Sequence, residues 1–112
     1  MNKVEIMGKV SHLGATYEEI DGECILVLRF AVEVEREGSK TQIDQIPCRV
    51  EGGMAEKLNE EIENGDDISI KGRWNVDKRL CSTGDVIHYC TCIPAVVMLK
   101  KGKERSDDLS IK

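Results

Sequence analysis

Lys71, Arg73 and Trp74 fall within four residues of one another, and Lys78, Arg79, His88 and Tyr89 follow before position 90. Cations interleaved with flat rings suit a single-stranded nucleic acid: the cations track phosphates and the rings stack on bases. Arg29 and Arg49 add cations from earlier in the chain, with Lys3 and Lys9 as secondary candidates. Alternation places Lys71 and Arg73 on one side of a strand and Ile68 and Ile70 on the other. Counting gives Trp74 the inward parity. Its place at a strand end, between Arg73 and a basic hairpin, assigns it instead to the groove, with Tyr89 as the other stacking candidate.

Other chemistries find less support. Cys81, His88, Cys90 and Cys92 raise the question of zinc, but the paired C-x₂₋₄-C knuckles of structural zinc sites are missing. No glycine-rich phosphate loop or G-x-S-x-G nucleophile motif occurs, and the two histidines, His12 and His88, belong to different predicted strands. The reading is therefore of a protein without catalytic residues, metal or cofactor. The formal charge of −5 argues at first against a polyanion. It is concentrated, however. Between Glu51 and Asp67 lie seven carboxylates and one lysine; with that stretch set aside, 14 of the 21 acids and 15 of the 16 bases remain. The balanced remainder leaves room for an electropositive groove.

These residues must be held by something, and the hydropathy pattern says what. Residues 3–13 alternate, with Val4, Ile6, Gly8 and Val10 on one side and Lys3, Glu5, Met7 and Lys9 on the other. Polar residues bracketed by glycines predict a loop over 14–23. Residues 24–36 carry the clearest alternation, with Cys24, Leu26, Leu28, Phe30, Val32 and Val34 inward and Arg29, Glu33 and Glu35 outward. A turn over 37–40 leads to a third strand, 42–50, in which Pro47 requires an edge or a bulge. The period then changes: Met54, Leu58 and Ile62 predict a short helix over 53–64, capped by Gly65. A fourth strand spans 67–74, a hairpin loop 75–85, and a fifth strand 86–99, interrupted by Pro94. Gly8 and Gly72, inside strand patterns, suggest the sharp bends of a small barrel. A chain of 112 residues makes one domain, here 1–100 with a polar tail over 101–112. Five cysteines, no signal-peptide pattern and no apolar run long enough for a membrane imply free thiols in a reducing cytoplasm.

Five strands with a helix between the third and fourth is the layout of an OB-fold. Three stretches carry a family resemblance: Met1-Asn2-Lys3-Val4 followed by Gly8; the run 27–32; and GGMAEKLNEEIENGDDISIKGRW, from Gly52 to Trp74. In this order, and with the final strand, they resemble the bacterial single-stranded DNA-binding protein family over about residues 1–100. The compact, aromatic-poor form is similar to that family's small relative, primosomal replication protein N. The resemblance implies an all-β, five-stranded Greek-key barrel. It also implies a subunit contact on the first strand through Lys3, Glu5 and Met7. The departures are equally informative. Where larger members stack bases on aromatic side chains, this chain has Gln45, Glu51 and Arg79, and its ending SDDLSIK lacks the acidic, apolar tip.

The combined expectation is sequence-independent binding of single-stranded DNA by a homodimer or tetramer, in replication, restart or recombination. RNA is not separable from DNA by sequence, and replication or restart proteins are the expected further partners. Binding would use Arg29, Arg49, Lys71, Arg73, Trp74, Lys78, Arg79 and Tyr89, in a groove of strands two to four closed by the last hairpin. The rival is an oligomeric OB-fold interaction module with little DNA affinity, favoured by the charge and the missing aromatics.

Overall fold

The computed structural model describes residues 1–38 and 41–101. Five strands, β1 (Val4–Ile20), β2 (Glu23–Glu35), β3 (Ile43–Glu51), β4 (Asp67–Leu80) and β5 (Val86–Lys100), surround one core. Among the described residues a single helix, α1 (Gly53–Asn59), lies between β3 and β4. The sheet closes in the order β1-β2-β3-β5-β4, with β1 against β4 completing the circle. This is the expected five-stranded OB-type barrel. The expected tail lies outside the described residues except for Lys101.

Inward-facing residues build the core, as the alternation requires: Val4 and Val10 from β1, Leu28, Phe30 and Val32 from β2, Cys48 and Val50 from β3, Ile68 and Ile70 from β4, Cys92 from β5. Leu58 and Ile62 close one end of the barrel. β1 serves two partners in turn. Val4 to Lys9 pair with β4, and Lys9 to Ile20 pair with β2, so Lys9 is the handover residue. Closure on the far side is narrow: β3 and β5 meet at one parallel bridge, Cys48 opposite Cys92. Burial pushes both thiols above the ordinary range, as for neutral core cysteines. Pro47 stands in unbroken register opposite Ala31, so there is no bulge, and its missing N–H falls on a strand that is otherwise an edge.

Two predicted loops prove to be strand. Residues 14–20 continue β1, and the connection shrinks to Asp21-Gly22, both with positive φ (51° and 81°). Two consecutive left-handed residues make the tight hairpin turn that Asp-Gly favours. Residues 75–80 continue β4, paired from Asn75–Thr91 to Leu80–Val86, and only Cys81–Asp85 turns. Both hairpins project beyond the barrel. The radius of gyration, 16.1 Å, accordingly exceeds the roughly 13 Å of a compact chain of this length.

The helix is shorter than predicted, ending at Asn59. The Leu58 carbonyl accepts from both Glu61 and Ile62 N–H, and the chain turns on while still burying Ile62. Gly65 does not cap it. With φ 93° it donates instead to the Val10 carbonyl at 2.8 Å. Asp66, fully buried, accepts from the Glu63 N–H at 2.9 Å and faces Lys101 Nζ at 3.3 Å, tying the start of β4 to the end of β5.

Candidate nucleic-acid interface

The β4–β5 hairpin leans over the outer face of β2 and β3 and encloses a groove of about 470 Å³. Its walls are Arg29, Ala31, Pro47 and Arg49 on the sheet and Asp77, Arg79, Tyr89 and Thr91 on the hairpin, with His12 at one end. Four of the residues expected to bind, Arg29, Arg49, Arg79 and Tyr89, thus converge from four strands.

Register explains the convergence. Arg29 and Arg49 are directly opposite on β2 and β3. Like charges across a ladder destabilise a sheet, so this pair is a local conflict of the kind that marks functional sites. The three arginines are held in three different ways. Glu18 of β1 grips Arg29 with both oxygens: Nη1 donates to Oε2 and Nη2 to Oε1, and the Thr16 hydroxyl orients the carboxylate at 2.9 Å. That bond holds the Glu18 carboxyl below the usual range and raises Arg29. Arg49 Nε lies 3.1 Å from Glu51 Oε2, yet this buried nitrogen makes no hydrogen bond there or elsewhere among the described residues. Arg79 stacks its guanidinium over Tyr89, 5.7 Å from the ring centroid, and has no carboxylate partner among the described residues. Tyr89 remains 41% exposed and offers a flat surface into the groove.

Of the other predicted residues, Arg73 shares an adjoining concavity with Arg49 and Glu51, whereas Lys71, Lys78 and Trp74 lie elsewhere. Lys71 and Arg73 line a second concavity of about 450 Å³ together with Lys3, Glu5 and Pro94. This is the face assigned to the subunit contact, so the sequence had set two roles on one surface. Lys78 faces away from Arg79, because adjacent strand residues point to opposite sides; it pairs with His88 on the back of the hairpin. Trp74 keeps the inward parity. The extra residue at the bulge is Ala95 on β5, where Lys71 pairs with Val96 but Gly72 with Pro94, so the alternation of β4 is undisturbed. Trp74 therefore stands half-buried against the core, not in the groove, and Asn2 brackets its backbone with bonds of 2.7 and 2.9 Å. His88 and Cys90 are exposed while Cys92 is buried, and no three metal-ligating side chains come together among the described residues.

His12 was missed. A bulge in β1, between Ser11 opposite Ala31 and Gly14 opposite Arg29, holds it at φ 54° and turns it to the groove. Bulges gather near binding sites, but nothing in the residues around His12 announces one.

No family model and no curated protein matches the chain. A solved structure does. The fold is similar to that of a single-stranded DNA-binding protein. The match is to the crystal structure of mitochondrial Rim1 from S. cerevisiae, with a TM-score of 0.71 over 89% of this chain and 95% of that one, at 14% sequence identity. At that identity the likeness establishes the barrel and its topology, and the function rests on this chain's own groove.

Proposed function

We propose that the protein binds single-stranded DNA without sequence preference. The carrying observation is the convergence of Arg29, Arg49 and Arg79 with exposed Tyr89 in one groove, on a fold shared with a single-stranded DNA-binding protein. Guanidinium forks bind backbone phosphates, a tyrosine face stacks on any base, and neither reads sequence. The setting is replication, restart or recombination in the cytoplasm, and a groove whose stacking ring is Tyr89, with Phe30 buried, fits kinship with the aromatic-poor primosomal replication protein N. The interaction-module reading draws support from the carboxylates beside Arg29 and Arg49.

Titration of fluorescent oligo-dT at two salt concentrations decides between them. Three phosphate contacts give a log–log slope of roughly −2, since each single-strand contact contributes about 0.7. Arg79→Gln should shallow that slope by roughly 0.7. Lys78→Gln, next in sequence but on the opposite side of the hairpin, should leave it unchanged. Equal effects of the two would move the site; no affinity at low salt would favour the interaction module. Duplex DNA and RNA in the same assay test the choice of nucleic acid.

The dimer reading rests on the outer face of β1, β4 and β5. Met7 (72% exposed), Ser69 and Met98 (68% exposed) form one row across β1, β4 and β5, with Glu5, Lys71 and Val96 in the next. An apolar patch rimmed by charges is a self-association surface. Light scattering should give twice the chain mass at tens of micromolar, and Met7→Glu with Met98→Glu should return it to the monomer. A monomer before substitution sinks this reading.

A further inference from the structure

We propose that Glu18 sets the affinity of the groove by occupying Arg29 in place of a phosphate, so that a strand binds by exchanging with it. The inference rests on the single-strand-binding reading and concerns how that site is tuned.

The contact has the geometry of ligand recognition. A guanidinium presents two parallel N–H donors that match a carboxylate or a phosphate equally well. Both Glu18 oxygens accept from Arg29, on its two terminal nitrogens, and Thr16 fixes the carboxylate from the other side. The fork that would hold a phosphate is therefore already taken. At Arg49 the neighbouring carboxylate lies beside Nε without a hydrogen bond, and at Arg79 the neighbour is a ring. Glu18 is thus the specific competitor among the acids around the groove.

Its structural value does not account for it. Both partners are substantially exposed, 51% for the Arg29 side chain and 38% for Glu18, and exposed pairs contribute little to stability. The ladder between β1 and β2 holds the hairpin without it, from Lys9–Glu33 to Ile20–Glu23. What the pair does is occupy one of the groove's three guanidinium forks. It thereby ensures that only a ligand contacting several cations at once, as a polymer does, outcompetes the internal anion. A single phosphate at Arg29 gains nothing over Glu18. A strand that also reaches Arg49, Arg79 and Tyr89 does.

The test is a cycle read by anisotropy of labelled oligo-dT. Glu18→Gln and Glu18→Ala should bind up to about fivefold tighter at low salt, the factor by which an exposed ion pair that the strand must break opposes binding. The log–log salt slope should stay near roughly −2, since the bound strand contacts the same three arginines with or without Glu18. In an Arg29→Gln background the same substitutions should change nothing. Glu33→Gln, on the same sheet face but bonded to Gln45, controls for general charge. Unchanged or weaker binding on losing Glu18 overturns the inference and leaves the function standing. So does a gain that persists without Arg29, or one matched by Glu33→Gln. Absence of binding by the unsubstituted chain and all variants overturns the function and the inference together. Thermal melts of each variant verify folding.

Discussion

Gly72→Ala and Gly8→Ala should each cost about 3 kcal/mol of stability or more, at the upper end of overpacking effects. A Cβ at Gly72 would lie 2.2 Å from the Ile93 carbonyl oxygen and 2.9 Å from Pro94 Cα. At Gly8 it would lie 2.2 Å from the Glu33 carbonyl oxygen and 2.9 Å from Val32 Cγ1. The closest obstacles are backbone, which cannot swing aside as a side-chain tip can. Both sites are places where the barrel curls. Gly8 precedes the residue at which β1 passes from β4 to β2, and Gly72 faces the β5 bulge. Urea denaturation should show the midpoint falling with little change in slope. Gly14→Ala, with nothing within 4 Å of its added carbon, is the matched control and should move stability by less than about 0.5 kcal/mol. A Gly72→Ala protein as stable as that control would contradict the packing described.

The aromatic pair should separate binding from folding. Tyr89→Ala removes the groove's stacking surface and should cost about 1–3 kcal/mol of oligonucleotide affinity. Stability should hardly change, since the ring stands exposed on the projecting hairpin. Trp74→Ala should do the reverse, costing on the order of 2 kcal/mol of stability, below the full core value because the ring is half-buried, with affinity nearly intact. As the sole tryptophan, Trp74 also reports its own position. Its emission should be blue-shifted and little quenched by saturating oligo-dT. Strong quenching, or loss of affinity on replacing Trp74, would return it to the groove.

The sequence shows the strands only where they enclose the core. Leu26, Leu28, Phe30 and Val32 alternate visibly because one side of β2 is buried there. Beyond the barrel that cause disappears. Ala15, Thr16 and Tyr17, like Val76, Lys78 and Arg79, are exposed in projecting ribbons; water on both sides imposes no period of two, and such stretches read as loops. The Asp21-Gly22 turn was legible in principle as a hairpin dipeptide, but the glycines on either side of 14–23 suggested something looser. The site was half legible for a related reason. Residue types pointed to Arg29, Arg49, Arg79 and Tyr89, yet their meeting depends on cross-strand register, which no single segment encodes. Reading 75–85 as a loop made Lys78 and Arg79 equivalent neighbours; as strand they face opposite ways. Lys71 and Arg73 do face outward on β4, but there Lys71 looks onto Lys3 and Glu5 of β1, and only Arg73 reaches the side of Arg49.

The barrel resembles a hoop fastened by one clasp, the Cys48–Cys92 bridge, while every other pair of adjacent strands is laced along many residues. The groove straddles that clasp. Pro47, Cys48 and Arg49 form one lip and Tyr89 and Thr91 the other. A molecule gripping both lips acts as a strap across the weakest join, so occupying the groove and tightening the hoop are one mechanical event. The converse holds as well: whatever slackens the join pulls Tyr89 away from Arg49 and takes the grip apart without touching a residue that makes it.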